Sequence, residues 1–267
     1  GEKGQPGAAA DADRRHGDPV AAGRRMSWRH PRLIAHRGGG ALAPENTLAG
    51  LRIAASLGYR GVEFDVMLSA GGTPVLIHDE TLERTTDGRG RVADASDAEL
   101  ARLDAGSWHS AQFAGEPLPS FGDAAELCLA LGLWANVEIK PSAGREAETG
   151  RKVALEAREL WAGAPPPLLS SFSLAALEAA LEAAPELPRG LLFEAPPPDW
   201  QQAFRRLACY SLHCSRHCLT PQLFDEARAA GIPLLVYTVN DPEDAGLLLR
   251  QGVAAIFTDR IDLLMPA

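Results

Sequence analysis

Eight short apolar runs separated by helix-like segments constrain this chain more than any other feature. The runs are RLIAH (32–36), GVEFDV (61–66), WANVEIK (134–140), PLLSSF (167–172), RGLLF (189–193), CYSLH (209–213), IPLLVYTV (232–239) and AAIFTD (254–259). Between them, TLAGLRIAASLG puts Leu48, Leu51 and Ala55 on one helical face and stops at Gly58. Ser173 and Thr220 stand as N-caps before two further helical stretches. DPEDAGLLLRQG opens with Pro242 and ends at Gly252. Alternating strands and helices imply a parallel sheet. Eight such units in 267 residues predict an α/β protein with a closed (β/α)8 TIM barrel.

A ninth run, TPVLIH (73–78), follows the second strand too soon for a parallel crossover. It reads as the return strand of a hairpin turning near Ala70–Gly72, with Glu63 opposite His78. Residues 79–119 lack strong periodicity and read as a small insertion after that hairpin, a cap over the barrel mouth. An open doubly wound sheet is the alternative. The first glycine-rich turn, HRGGGALAPE, is no G-x-G-x-x-G and carries charges where a dinucleotide needs bare backbone. Residues 1–28 read as a disordered extension, and 29–267 as a single barrel domain.

Composition narrows the function. Hydrophobic residues make up 46% of the chain, enough for a sizeable core. The net charge is −9 and no basic block runs along the main body, which argues against a nucleic-acid partner. No apolar run approaches the roughly 18 residues of a membrane span, so stable membrane insertion is not expected. Arg14-Arg15 and Arg24-Arg25 are not followed by an apolar segment, and the four cysteines form no obvious disulfide framework. A cytoplasmic protein is the expectation.

The strand ends carry the chemistry. In this barrel type the site lies at the C-terminal ends of the strands. The first strand ends in His36-Arg37, the second carries Glu63 and Asp65, the hairpin ends in His78-Asp79, and the third parallel strand carries Glu138 and Lys140. Residues i and i+2 share one face of a strand, so each pair points the same way. Three inward carboxylates are costly in a dry core unless a cation holds them. Hard oxygen ligands are what one divalent metal, Mg2+ or Ca2+, takes. Two histidines beside them suit a general base and a general acid. Arg37 suits a phosphate through its bidentate fork, and Lys140 adds a point charge. Outward-facing salt bridges are the bland alternative for either carboxylate pair taken alone.

Other signals are weaker. Cys209, His213, Cys214, His217 and Cys218 cluster but match no zinc spacing; a strand ending at His213 and a turn explain them. Tyr237 and Asn240 close a strand and are candidates to touch substrate, with simple packing the alternative for Tyr237. Trp108 and Trp134 read as packing residues.

The segments HRGGGALAPENT, VEFDV, LIHDETLERTTDG, DAGSW, EPLPS, NVEIKP, LLSSFS, LPRGLL, VYTVND and IFTDRID, in this order, resemble the glycerophosphodiester phosphodiesterase family. The likeness spans about residues 29–265 and looks nearest to the bacterial cytosolic branch linked to glycerol-3-phosphate uptake. It implies hydrolysis of glycerophosphodiesters, such as glycerophosphocholine or glycerophosphoethanolamine, to an alcohol and sn-glycerol 3-phosphate. It places the family's metal carboxylates on Glu63, Asp65 and Glu138. Its catalytic histidines fall on His36 and His78, its phosphate arginine on Arg37 and its lysine on Lys140. Tyr237, a substrate-packing position, departs from the tryptophan of many members.

The first assignment of roles makes His36 the base and His78 the acid. The nucleophile is water or the glycerol 2-hydroxyl. A related barrel acting on sphingomyelin or lysophospholipids, and a non-catalytic phosphate binder, are the rival readings. The first would want an apolar mouth; the second would have lost a histidine or a carboxylate.

Overall fold

The apolar runs zip into one closed sheet. The computed structural model describes residues 26–266. The strands are β1 (Leu33–Ala35), β2 (Gly61–Leu68), β3 (Pro74–Leu76), β4 (Trp134–Ile139), β5 (Leu168–Ser171), β6 (Arg189–Phe193), β7 (Ser211–Ser215), β8 (Leu234–Tyr237) and β9 (Ala255–Thr258). All but β3 are parallel, and β1 pairs with both β2 and β9, which closes the barrel. Every residue of β2 is buried, because helices cover its outer face and the barrel contents its inner one.

The outer layer is α1 (Leu48–Ser56), α3 (Phe121–Leu131), α4 (Glu146–Leu160), α5 (Leu174–Ala183), α6 (Trp200–Arg206), α7 (Pro221–Ala230) and α8 (Pro242–Gln251), while the short α2 (Asp97–Leu100) belongs to the segment between β3 and α3. Their starts follow local chemistry. Ser173 accepts from the Ala176 amide and Thr220 from the Leu223 amide, each at 3.1 Å. Pro242 opens α8 and Gly252 ends it at φ +106°. Among the described residues, no helix is long and apolar enough to cross a membrane.

The barrel interior is divided by polarity. Ile34, Leu235, Ala255 and Phe257 form one buried apolar cluster. Glu63, Asp65, Asn136, Ser170 and His213 are buried polar residues of β2, β4, β5 and β7. The lower end is closed by aromatic rings, with His30 stacked 4.6 Å from Trp134 and Trp28 edge-on to Trp134 at 5.6 Å.

Three expectations need correction. The hairpin turn is one residue longer than the predicted register assumed. Ser69 donates from its amide to Thr73 O, Gly72 takes φ +80°, and Val66 therefore faces Leu76. Asp65 O accepts from the Ile77 amide, and His78 lies beyond the ladder rather than opposite Glu63. The strand predicted at 209–213 forms at 211–215, so His213 is mid-strand and buried, not at a strand end. Its alternation explains the shift: Leu212 and Cys214 pack into the outer core, leaving Ser211 and His213 to the inside. Residues 1–25 lie outside the described residues. Met26 to Trp28, grouped with them above, pack on the barrel, with the Met26 amide donating to Gly231 O and Tyr210 donating to Ser27 O.

The insertion between β3 and α3 has its own small core, in which Leu82, Val92 and Leu100 pack against Met67, Val75 and Ile77. His109 of the insertion contacts Ala41 O at 3.1 Å, beside the loop that follows β1.

Candidate active site

A cavity of about 270 Å³ opens at the C-terminal end of the barrel. Strand register builds its acidic wall. Asp65 of β2 lies opposite Glu138 of β4, two pairs beyond Glu63 and Asn136 and so on the same face. One ligand oxygen from each of Glu63, Asp65 and Glu138 lies within 4.8 Å of the others, and all three residues are buried. Among the described residues this is the one His/Cys/Asp/Glu group placed to hold a metal. The cysteine and histidine residues at 209–218 are not brought together as a zinc site.

Donors from neighbouring elements hold the acidic wall, and Lys140 Nζ lies 3.7 Å from Glu138 Oε1. Glu63 Oε2 accepts from the Arg37 amide at 2.8 Å, and Asp65 Oδ2 accepts from Asn46 Nδ2 at 2.9 Å. Glu63 Oε1 is buried with no hydrogen-bond partner among the described residues. Burial, then repulsion by Asp65 and Glu138, pushes the Glu63 carboxyl well above its usual range. Burial and Asp65 push Glu138 the same way, against the pull of Lys140 and Arg37. A buried cluster of hard oxygen donors, one of them orphaned, fits a divalent cation.

Two histidines flank this wall. His36 follows β1; its Nδ1 lies 2.7 Å from Asp259 Oδ1, and its Nε2 lies 3.9 Å from Glu63 Oε2. His78 follows the hairpin, with Nδ1 2.6 Å from Asp79 Oδ1 and Nε2 3.0 Å from Lys140 Nζ. Burial lowers the basicity of His78 below that of a free imidazole. Hydrogen bonds from Arg84 hold Asp79 well below the usual carboxylate range.

Arg37 sits at φ +50° in the turn after His36, with its side chain beside the cavity. Its Nη1 donates to Glu45 Oε1 at 3.0 Å, while its buried Nε has no hydrogen-bond partner. That Nε lies 3.9 Å from Asp65 Oδ2, so the guanidinium sits between Glu45 and the acidic wall. The glycines that follow bring this turn against β9 and α1. A Cβ on Gly40, at φ +54°, would lie 2.3 Å from Asp259 O.

Tyr237 lines the cavity; its hydroxyl donates to Phe193 O at 2.9 Å and its ring meets the exposed Phe172 edge-to-face at 6.0 Å. Asn240 instead holds Asp259, accepting from its amide at 2.8 Å. Trp134 belongs to the aromatic floor, and half-exposed Trp108 donates to Ala105 O in the insertion.

Sequence reasoning missed Asp259, Asn46, Glu45 and Arg84. Asp259 ends AAIFTD at a strand terminus, which was a usable signal. The other three lie in loops whose partners are set only by folding.

Residues 36–263 match the glycerophosphoryl diester phosphodiesterase family. A glycerophosphodiester phosphodiesterase of Caldanaerobacter subterraneus subsp. tengcongensis is 35% identical over 234 residues, 87% of this chain and 96% of that one. An Oleispira antarctica phosphodiesterase, solved in complex with the product sn-glycerol-3-phosphate, is 40% identical with a TM-score of 0.83, covering 86% of this chain and 93% of its own. A Silicibacter pomeroyi structure described as a glycerophosphoryl diester phosphodiesterase is 28% identical with a TM-score of 0.76, covering 86% and 90%. The chain belongs to the glycerophosphoryl diester phosphodiesterase family and is an enzyme of that class.

Proposed function

We propose that the protein hydrolyses glycerophosphodiesters, such as glycerophosphocholine or glycerophosphoethanolamine, to an alcohol and sn-glycerol 3-phosphate. Glu63, Asp65 and Glu138 hold one divalent cation, Mg2+ or Ca2+, and His36 and His78 move the protons. The observation that carries this reading is one cavity lined by all three carboxylates, both histidines, Arg37 and Lys140.

The cation, when bound, supplies Lewis-acid stabilisation of charge on the phosphate oxygens. Arg37 contributes its guanidinium charge to the same oxygens, and Lys140 adds a second positive charge. Lys140 also bears on proton direction. An ammonium only donates, so the 3.0 Å contact makes His78 Nε2 an acceptor and puts the ring proton on Nδ1, facing Asp79. His78 is thus poised as the base towards the nucleophile, either water or the glycerol 2-hydroxyl. His36, backed by the Asp259 carboxylate, is suited to carry an extra proton and give it to the leaving alcohol. This direction is opposite to the first assignment from sequence.

The test is release of glycerol 3-phosphate from glycerophosphocholine, with and without EDTA. Metal-dependent release is expected. No release from the metal-loaded protein overturns the proposed function.

A further inference from the structure

Arg84 belongs to the insertion, not to the barrel, and 44% of its side chain is exposed. Its guanidinium nevertheless makes four hydrogen bonds to two carboxylates. Nε and Nη2 donate to Asp79 at 2.6 and 3.0 Å; Nη1 and Nη2 donate to Glu45 at 2.9 and 2.8 Å. Each carboxylate has a second partner that lines the cavity. Asp79 meets His78 Nδ1, and Glu45 accepts from Arg37 Nη1. A single guanidinium therefore joins His78 to Arg37 through alternating charges, from the insertion to the loop after β1.

The planar fork matters. Its fixed donors lock two carboxylates at once, which a flexible ammonium cannot reproduce. With Arg84 absent, Asp79 and Glu45 lose their common anchor. Glu45 is then free to draw the Arg37 guanidinium away from the phosphate, and the His78 ring loses the carboxylate that orients its Nδ1–H.

We propose that Arg84 is a positioning residue which, by holding Asp79 and Glu45 together, orients both the His78 imidazole and the Arg37 guanidinium towards the phosphodiester. The inference rests on the function proposed above.

Glycerol 3-phosphate release is measured for the metal-loaded wild type, Arg84→Ala, Arg84→Lys, Asp79→Asn, Glu45→Gln, and each of the last two combined with Arg84→Ala. Arg91→Ala is the control, since Arg91 of the same insertion pairs only loosely with exposed Glu80, at 3.8 Å. Arg84→Ala is expected to lose about 10–100-fold in kcat/KM. Arg84→Lys should keep the charge and the fold yet recover only part of that loss, and Arg91→Ala should match wild type. Millimolar guanidinium should restore Arg84→Ala, and sodium chloride at equal ionic strength should not. The double variants should fall no more than about twofold below Arg84→Ala, because the sites act as one unit.

The inference is overturned if Arg84→Lys or a folded Arg84→Ala matches wild type, if guanidinium restores nothing, or if the losses multiply in the double variants. A wild type that releases no glycerol 3-phosphate overturns the functional reading instead.

Discussion

His36 Nδ1 lies 2.7 Å from Asp259 Oδ1, a hydrogen bond that ties the end of the first barrel strand to the end of the last. Burial acts to raise the Asp259 carboxyl, but the bonds from His36 and Asn240 bring it below its ordinary value, so it stays an anion beside the imidazole. An amide at this position cannot stabilise a protonated His36. Asp259→Asn is expected to lower kcat about 10–100-fold with little change in KM, since Asp259 acts through His36. A kcat equal to wild type in steady-state assays rules out the pairing as a working part.

The Lys140 contact to His78 leads to a leaving-group prediction. His36→Ala should slow hydrolysis of glycerophosphocholine by roughly 10²-fold or more. It should slow a p-nitrophenyl diester much less, because nitrophenolate departs without a proton. His78→Ala should slow both alike. The reverse pattern would assign the acid to His78.

Carboxyl groups raised by burial and by one another must shed protons to take a cation. Calorimetric titration with Mg2+ or Ca2+ in two buffers of different ionisation heat should register proton release near neutral pH. Glu138→Gln should weaken binding by at least about tenfold. Enzyme activity untouched by thorough chelation refutes the assignment of Glu63, Asp65 and Glu138.

His213 gives a stability prediction with a definite sign. Full burial pushes its imidazole down to about 3 from 6.5. Between those values the unfolded chain binds the proton and the folded one does not, so stability is complete above 6.5 and declines as pH falls. In urea unfolding, the wild type's advantage over His213→Gln should shrink by about 1.4 kcal/mol per pH unit below 6.5. A difference independent of pH would mean that His213 takes up its proton in the fold as readily as in the unfolded chain.

Gly40 has a positive φ, and a Cβ there would press on the Asp259 carbonyl. Gly40→Ala should cost more than roughly 2 kcal/mol in thermal or urea unfolding. It should also reduce activity, because the same turn carries His36 and Arg37. A fully stable, fully active variant would show that this close approach is not needed.

The barrel was legible because its signal is local. Each apolar run and each N-cap, such as Ser173 or Thr220, is decided by residues a few positions apart. The i, i+2 rule likewise placed Glu63 with Asp65, and the strand ends brought His36, His78 and Arg37 into view before any pairing was known. The hairpin register was not legible, since one extra turn residue at Ala70–Gly72 moves every partner by one.

Residue types and their spacing alone determined the fold class, the acidic wall and the pair of histidines. Only tertiary structure decided what each histidine touches. Asp259 stands 223 residues from His36, and Lys140 stands 62 from His78. Such pairs form when the sheet closes and an insertion folds back over its rim, and no local periodicity encodes a contact across that distance.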